Sequence, residues 1–398
     1  MDIIIHPKRL SGEIRAIPSK SQAHRLLICA AFADAPTSLS CTDTNRDIEA
    51  TVSCLNALGA AIQRTTEGYR VIPTVSVPRQ AILDCGESGS TLRFMLPIVG
   101  ALGVDATFQM AGRLPQRPLS PLWEEMERMG CAISRPTEAT LRCQGQLQSG
   151  DFTISGGVSS QFITGLLYAA ALLPDSSRIH ITGKLESKPY VAMTQQAMTL
   201  FGIDTKDFCV SGGQRFRTPG DLTVEGDWSN GAFWLAANAL GGNLTVTNLD
   251  SGSTQGDRIV GAHLSALDDL AVIDATDTPD LVPVLAIVAG AKKGATFINC
   301  GRLRLKETDR LATTVAMINA LGGVARIQGD SLIVHGTGYQ GGIVDATNDH
   351  RIAMSAAVAA TVCKESVTIL SAHEVSKSYP SFWKDYQMLG GRYEQYIR

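Results

Sequence analysis

Two kinds of hydrophobic segment alternate along the chain. The first kind is apolar around most of its circumference and rich in small residues. Six segments are of this kind: SKSQAHRLLICAAFA, GESGSTLRFMLPIVGAL, SSQFITGLLYAAALL, DWSNGAFWLAANALGG, TPDLVPVLAIVAGA and NDHRIAMSAAVAATV. A helix that is apolar all round has no face to offer water, so these are predicted to be buried helices. The second kind is amphipathic and closes on a recurring phrase. LNALG ends at Gly59, MERMG at Gly130, MTLFG at Gly202, INALG at Gly322 and YQMLG at Gly390, with LSALD at Asp268 filling the remaining place. WEEMERMG sets Trp123, Met126 and Met129 on one face and Glu124, Glu125 and Arg128 on the other. The final glycine reads as a helix stop. Strand-like residues follow, as in AIQRTT, CAISRP and VARIQG.

The repeating unit is therefore a buried helix, an outer helix and about four short strands. It recurs six times along the chain. A period of about 70 residues is too long for a solenoid. Three units in each of two similar α/β domains is the economical packing, and 398 residues suit two domains of roughly 200. The chain is expected to cross between domains near Ile14 to Ala16 and near Pro219 to Glu225. That assigns 15–223 to one domain, and 1–14 with 224–398 to the other.

Composition narrows the function class. The chain is 44% apolar and 18% charged, with a net charge of −3. No global basic footprint exists, so no nucleic-acid partner is expected. No apolar run reaches the roughly 18 uncharged residues of a membrane span. The N-terminal MDIIIHPKRLSGEI alternates like a strand and lacks a signal-peptide plan. Nine cysteines are scattered without a C-x-x-C pair, and Cys29 and Cys363 fall inside apolar helical runs. They read as reduced core thiols of a cytoplasmic protein. No spacing supports a metal site, and no cofactor is expected.

Polar residues concentrate where the buried helices begin. A helix N-terminus carries unpaired N–H groups and attracts anions. Capping accounts for the Ser, Asp and Asn found there. It does not account for Lys20, Arg25, Arg93 and Arg351, because cations near a helix start oppose the dipole. GESGSTLR resembles a phosphate-cradling loop, and Gly89 would let an anion approach the backbone. It lacks the lysine of G-x-x-x-x-G-K-[ST], which excludes a P-loop nucleotide hydrolase. Further cations cluster elsewhere: Arg113 and Arg117 in GRLPQRPLSP, Lys377 in EVSKSYP, and Arg302, Arg304, Lys306 and Arg310 around Glu307 and Asp309 in GRLRLKETDRLA. KETDR also fits a helix start capped by Thr308 or Asp309. Together these features point to a ligand with several negative groups.

The ordered set PSKSQAHR, GESGSTLR, RLPQRP, SSQF, ESKPY, EGDWS, TPD, LKETDR, NDHR and SKSYP resembles the 5-enolpyruvylshikimate-3-phosphate synthase family from Pro18 to Pro380. SSQF, KETDR and NDHR in sequence are a specific combination. The resemblance implies two domains of three inside-out α/β (βαβαββ-type) units, with pseudo-sixfold repetition and the active site in the interdomain cleft. The implied reaction transfers the enolpyruvyl group of phosphoenolpyruvate to the 5-hydroxyl of shikimate 3-phosphate, through a tetrahedral ketal, with release of phosphate. It needs neither metal nor cofactor, and its partners are these two small molecules. By the same resemblance, Asp280 orients and deprotonates the accepting hydroxyl; on sequence alone it could equally be an N-cap. Glu307 gives a proton to the methylene carbon and later removes one, and Lys20 assists phosphate departure. Lys20, Ser21, Arg25, Ser159, Ser160, Gln161, Ser187, Asp280 and Lys306 match shikimate-phosphate positions, with Tyr190 against the ring. Lys20, Gly89, Arg117, Gln161, Arg310, Arg351 and Lys377 match phosphoenolpyruvate positions. Arg93 braces the site, and His350 is either a proton shuttle or a supporting hydrogen-bond group.

Two departures stand out: Glu87 and Arg302 occupy places where the family usually or often has Asn. Neither removes a proposed catalytic group. The nearest alternative is the sister enolpyruvyl transferase acting on UDP-N-acetylglucosamine, which has a Cys in the loop corresponding to AGRLPQRP; this chain has none there. A non-catalytic binding protein of the same fold is disfavoured by intact Lys20, Asp280 and Glu307. Family habit suggests a monomer.

Overall fold

The computed structural model describes residues 1–396. They form two compact units: Pro18–Val224, and Met1–Ile17 together with the chain from Glu225 onward. Twelve α-helices alternate along the described residues. The Pro18–Val224 unit holds α1 (Lys20–Ala31), α2 (Arg46–Ala57), α3 (Gly89–Leu102), α4 (Leu122–Arg128), α5 (Ser160–Leu172) and α6 (Lys188–Leu200). The other unit holds α7 (Trp228–Ala239), α8 (Val260–Ala266), α9 (Val282–Ala291), α10 (Arg310–Ala320), α11 (His350–Ala360) and α12 (Phe382–Met388).

The odd-numbered helices are the inner ones. Every residue of α11 is buried, as is all of α9 but its last. Each large apolar side chain so buried contributes roughly 1.5–3 kcal/mol, so these helices form the two cores. The even-numbered helices bury one face; α2, for example, covers Ile48, Thr51, Val52, Cys54 and Leu55. Gly59, Gly130, Gly202, Gly322 and Gly390 follow outer helices with φ between 77° and 105°. That is the left-handed stop the repeated phrase predicts. Cys363 lies past the end of α11 rather than within it, and is buried.

The sheets repeat one plan. Gln80–Asp84 pairs parallel with Asp105–Gln109, the crossover being α3, and Thr140–Gly145 and Cys131–Thr137 then add antiparallel. Ala271–Asp274, Gly294–Ile298, Ser331–His335 and Val324–Gln328 repeat this order around α9. Two strands are exchanged. Ser11–Arg15 precedes α1 in sequence but pairs parallel with Asn243–Thr247, the strand after α7. Asp221–Thr223 precedes α7 but pairs parallel with Thr37–Ser40, the strand after α1.

Helices α3 and α5 meet closely because of two residues. Pro97 sits inside α3 and cannot donate to the carbonyl of Arg93, one turn earlier. Gly165 of α5 faces that carbonyl, and a Cβ there would stand 2.3 Å from the Arg93 oxygen. The glycine thus seats α5 against the segment that carries Arg93.

Candidate active site

The inner helices start on side-chain caps. Ser19, Ser88, Ser159, Asp227 and Asp349 accept backbone N–H bonds of α1, α3, α5, α7 and α11. Capping is therefore satisfied without the cations, as their placement against the dipole suggested. Lys20 and Arg351 stand in first turns, whereas Arg25 and Arg93 lie one turn further in. Helix α9 differs. It has no side-chain cap and is entered through a 3₁₀ turn, Pro279–Leu281. Asp280 sits in that turn, so it is not an N-cap.

In the Pro18–Val224 unit, the guanidinium groups of Arg93 and Arg117 converge over Gly89. A Cβ on Gly89 would stand 2.8 Å from Arg93 Nη1 and 2.6 Å from Arg117 Nη1. Arg93 donates to Gln161 Oε1 at 2.8 Å, and Gln161 Nε2 donates to Ser90 Oγ at 2.8 Å. This joins the starts of α3 and α5 beneath two cations and a row of N–H groups, which is an anion site in physical terms. Glu87 lies beside it: a Cβ on Gly112 would meet its Oε2 at 2.5 Å, so the carboxylate rests on the loop that carries Arg117. Lys20 pairs with Asp47 at 2.8 Å, both partly exposed.

Arg25 is 2% exposed and directed inward. It donates to Thr194 Oγ1 at 2.9 Å, to the Ser21 carbonyl at 2.6 Å and to the Tyr190 carbonyl at 2.8 Å. It therefore holds Ser21 and Tyr190 in place. Burial lowers its pKa from the ordinary value. Ser187, 1% exposed, takes a left-handed φ of 55° just before α6. Ser160 opens α5 and is also buried.

The second unit carries a denser charge cluster. The Arg310 side chain is 1% exposed and binds three carboxylates. It donates to Asp280 Oδ1 at 2.7 Å, to Asp349 Oδ2 at 2.9 Å, to Asp349 Oδ1 at 3.1 Å and to Glu307 Oε2. Lys306 adds an ion pair to Asp280 at 3.1 Å. Arg351 donates to the Asp280 carbonyl at 3.1 Å and to Ser229 Oγ at 2.7 Å. Burial alone would raise the pKa of Asp280, but Lys306, Arg351 and Arg310 hold it well below the usual carboxylate range. Burial lowers the pKa of Lys306, against the pull of Asp280. The positive charge of Arg302 lowers it slightly further. Lys377 donates to the Asn348 carbonyl at 3.1 Å and pairs with Glu374 at 3.1 Å. His350, 2% exposed, opens α11 between Asp349 and Arg351.

Sequence reasoning passed over Asp47, Ser229, Asp349 and Glu374, which hold the named cations. Asp349 stood in the quoted NDHR, but an N-cap aspartate looks the same in sequence whether or not it also grips an arginine.

Asp280 and Glu307, with the cations around them, are groups of the kind that could carry out acid–base chemistry on a polyanion. Several solved enolpyruvyl transferase structures are similar to this chain. They include an EPSP synthase of Acinetobacter baumannii, with a TM-score of 0.80 at 21% identity over 99% of this chain and 100% of that one. The enolpyruvyl transferase NikO of Streptomyces tendae has a TM-score of 0.75 at 18% identity, over 99% and 98%. The chain thus has the enolpyruvyl transferase fold. A family model for EPSP synthase (3-phosphoshikimate 1-carboxyvinyltransferase) matches residues 4–386, and the chain belongs to that family. The 3-phosphoshikimate 1-carboxyvinyltransferase of Clostridium kluyveri is 38% identical, over 99% of this chain and 98% of that protein. That of Clostridium beijerinckii is 37% identical, over 98% of each. No helix among the described residues is long and apolar enough to cross a membrane.

Proposed function

We propose that this chain transfers the enolpyruvyl group of phosphoenolpyruvate to the 5-hydroxyl of shikimate 3-phosphate, releasing phosphate. The observation that carries the reading is the pair Asp280 and Glu307, both held on the buried Arg310 with Lys306 and Arg351 alongside. In the addition step, the hydroxyl oxygen bonds to C2 of phosphoenolpyruvate and its proton passes to Asp280. Glu307 delivers a proton to the methylene carbon, giving the tetrahedral ketal. In the elimination step, Glu307 takes a proton from the new methyl group and the C–O bond to phosphate breaks, with Lys20 supplying positive charge to the leaving group.

The low pKa of Asp280 fits this role once substrate is considered. The cations that depress it are those assigned to phosphoenolpyruvate, Arg310 and Arg351, and to shikimate phosphate, Lys306. An anion bound to them offsets their charge and lifts the proton affinity of Asp280. The base is thus strengthened only when substrates are present. On the other unit, Gly89, Arg117 and Gln161 take the phosphoenolpyruvate side. Ser21, Ser159, Ser160, Gln161, Ser187 and Tyr190 take the shikimate-phosphate side, with Arg25 behind Ser21 and Tyr190. Lys377 completes the phosphoenolpyruvate contacts, and Arg93 and His350 support them. The same reading makes the protein a cytoplasmic monomer. Its nine cysteines are all free thiols, as a reducing compartment allows.

Purified protein should release inorganic phosphate when given both substrates and none with phosphoenolpyruvate alone. Phosphate from phosphoenolpyruvate alone, or none with both, overturns the reading. Glu87→Asn tests the phosphate side. Removing a negative charge near Arg93 and Arg117 should leave the KM for phosphoenolpyruvate equal or lower. A KM several-fold higher would give Glu87 a positive role in binding.

A further inference from the structure

Arg117 is the cation whose place over Gly89 is least secured by its own side chain. Among the described residues that side chain has no hydrogen-bond or ion-pair partner, and its Nε is buried without one. It also stands beside the like charge of Arg93, both guanidinium groups lying close to Gly89. Like charges brought together repel. The loop that carries the Arg117 stem must therefore set where the guanidinium points. Leu114 and Leu119 anchor this loop in the core, at 2% and 4% exposed. Within it, the N–H groups of Leu114, Gln116 and Arg117 bond to the carbonyls of Ala111, Arg113 and Leu114. The carbonyls flanking Arg117 are held by two other arginines. From α3, Arg93 Nη2 donates to the Pro118 carbonyl at 3.2 Å. From the Cys131–Thr137 strand, Arg135 Nη1 donates to the Pro115 carbonyl at 2.9 Å. A cleft of about 590 Å³ opens among the loop, α4 and that strand, lined by Pro115, Pro118, Trp123 and Arg135 among others. The loop lacks close packing on this side, so the bond from Arg135 restrains it where packing does not.

Arg135 is aimed at the loop by an irregularity in its strand. Cys131 and Ile133 point inward, and Ala132 and Ser134 outward. Strict alternation would send Arg135 inward after Ile133. Instead, the pairing with Thr140–Gly145 shifts by one residue between Ser134 and Thr137. Pro136 falls inside that shift and has no N–H to give the ladder. A bulge of this kind re-aims a side chain. Arg135 emerges exposed, with its Cζ 6.0 Å from the centre of the Trp123 ring on α4. The ring face restrains a side chain that would otherwise range through solvent.

We propose that Arg135 is a positioning residue for the reaction: by holding the Pro115 carbonyl, it keeps the loop where Arg117 stands over Gly89 and receives phosphoenolpyruvate. The inference rests on the assignment of Arg117 to phosphoenolpyruvate made above. Arg93, Leu114 and Leu119 share the task, and the Arg135 bond lies at the surface, so its removal loosens the loop without unfolding it.

The test uses the full chain. Arg135→Ala should raise the KM for phosphoenolpyruvate about fivefold, the scale of one surface hydrogen bond from a charged donor. The kcat and the KM for shikimate 3-phosphate should change little, and Tm should stay within about 2 °C of wild type, as for other exposed positions. Loss of a surface cation could also weaken anion binding through its field alone. The Arg117→Met background separates the two causes. There, Arg135→Ala should lower kcat/KM no further, because the cation it positions is gone; a field effect would persist. A wild-type KM in Arg135→Ala overturns the inference, as does an equal loss in both backgrounds, or a loss that falls on kcat with KM unchanged. If Arg117→Met itself leaves the KM for phosphoenolpyruvate unchanged, the site reading fails and this inference with it. If Arg117→Met raises that KM while Arg135→Ala does not, only the role of Arg135 fails.

Discussion

Glu307→Gln is expected to lower kcat by about a thousandfold while leaving the KM for both substrates within a few-fold of wild type. The amide keeps the size of the carboxyl and still offers an oxygen to Arg310, so the cluster around Arg310 keeps its shape. It carries no proton that can pass to carbon and cannot take one back. Both halves of the reaction then lose their proton carrier, which is why the loss falls on turnover rather than on binding. Arg310 contacts the Glu307 carboxylate directly. Phosphoenolpyruvate bound to Arg310 would draw that contact away and let Glu307 take up a proton. Steady-state kinetics with calorimetric binding of shikimate 3-phosphate checks the prediction. Equal losses in kcat and in binding would mean that Glu307 holds substrate instead of moving protons.

The sixfold plan of the fold was legible because two signals repeat without interruption. Inner helices such as VPVLAIVAGA have no polar face, and the outer ones end on a glycine that only a left-handed stop requires. The exchanged strands were not legible. Asp221–Thr223 is three residues long, too short for a period of two to show, and its partner Thr37–Ser40 lies far away in sequence. In the site, Lys20 and Arg351 announced themselves because they stand in first turns, where the helix dipole disfavours a cation. Their anchors did not. Asp349 reads as an ordinary cap, and Asp47 as an acidic residue in a first turn. What joins them to the site is burial and partner choice, which only the packed chain specifies. Arg25 is the converse case. Its position matches a ligand contact by resemblance, while its side chain in this structure is spent on Thr194 and two carbonyls.

Arg310→Met is expected to cost about 3–5 kcal/mol of folding stability near neutral pH, because it removes the buried partner of three carboxylates at once. Methionine fills much of the space, so the loss is electrostatic rather than a cavity. The pH dependence follows from the sign of the shifts. In the wild type, the folded pKa of Asp280 is depressed, so it adds stability above the unfolded carboxylate range and loses it as pH falls through the folded value. Without Arg310, Asp280, Glu307 and Asp349 face one another with less positive charge among them. Losing Arg310 removes one of the three cations that hold Asp280 low, so its carboxyl moves back toward the usual range and contributes less to stability. The deficit should therefore be full from pH 7.5 down to about pH 5 and shrink on further acidification to about pH 3, where Asp280 of the variant takes up a proton before that of the wild type. Urea unfolding of both proteins across that range measures it directly. Arg310→Lys should recover part of the stability, since it restores one charge but cannot reach three carboxylates with a single ammonium. A deficit that stays constant down to about pH 3 would show that Arg310 stabilises by packing, and that its carboxylates are not the charged cluster on which Asp280 and Glu307 depend.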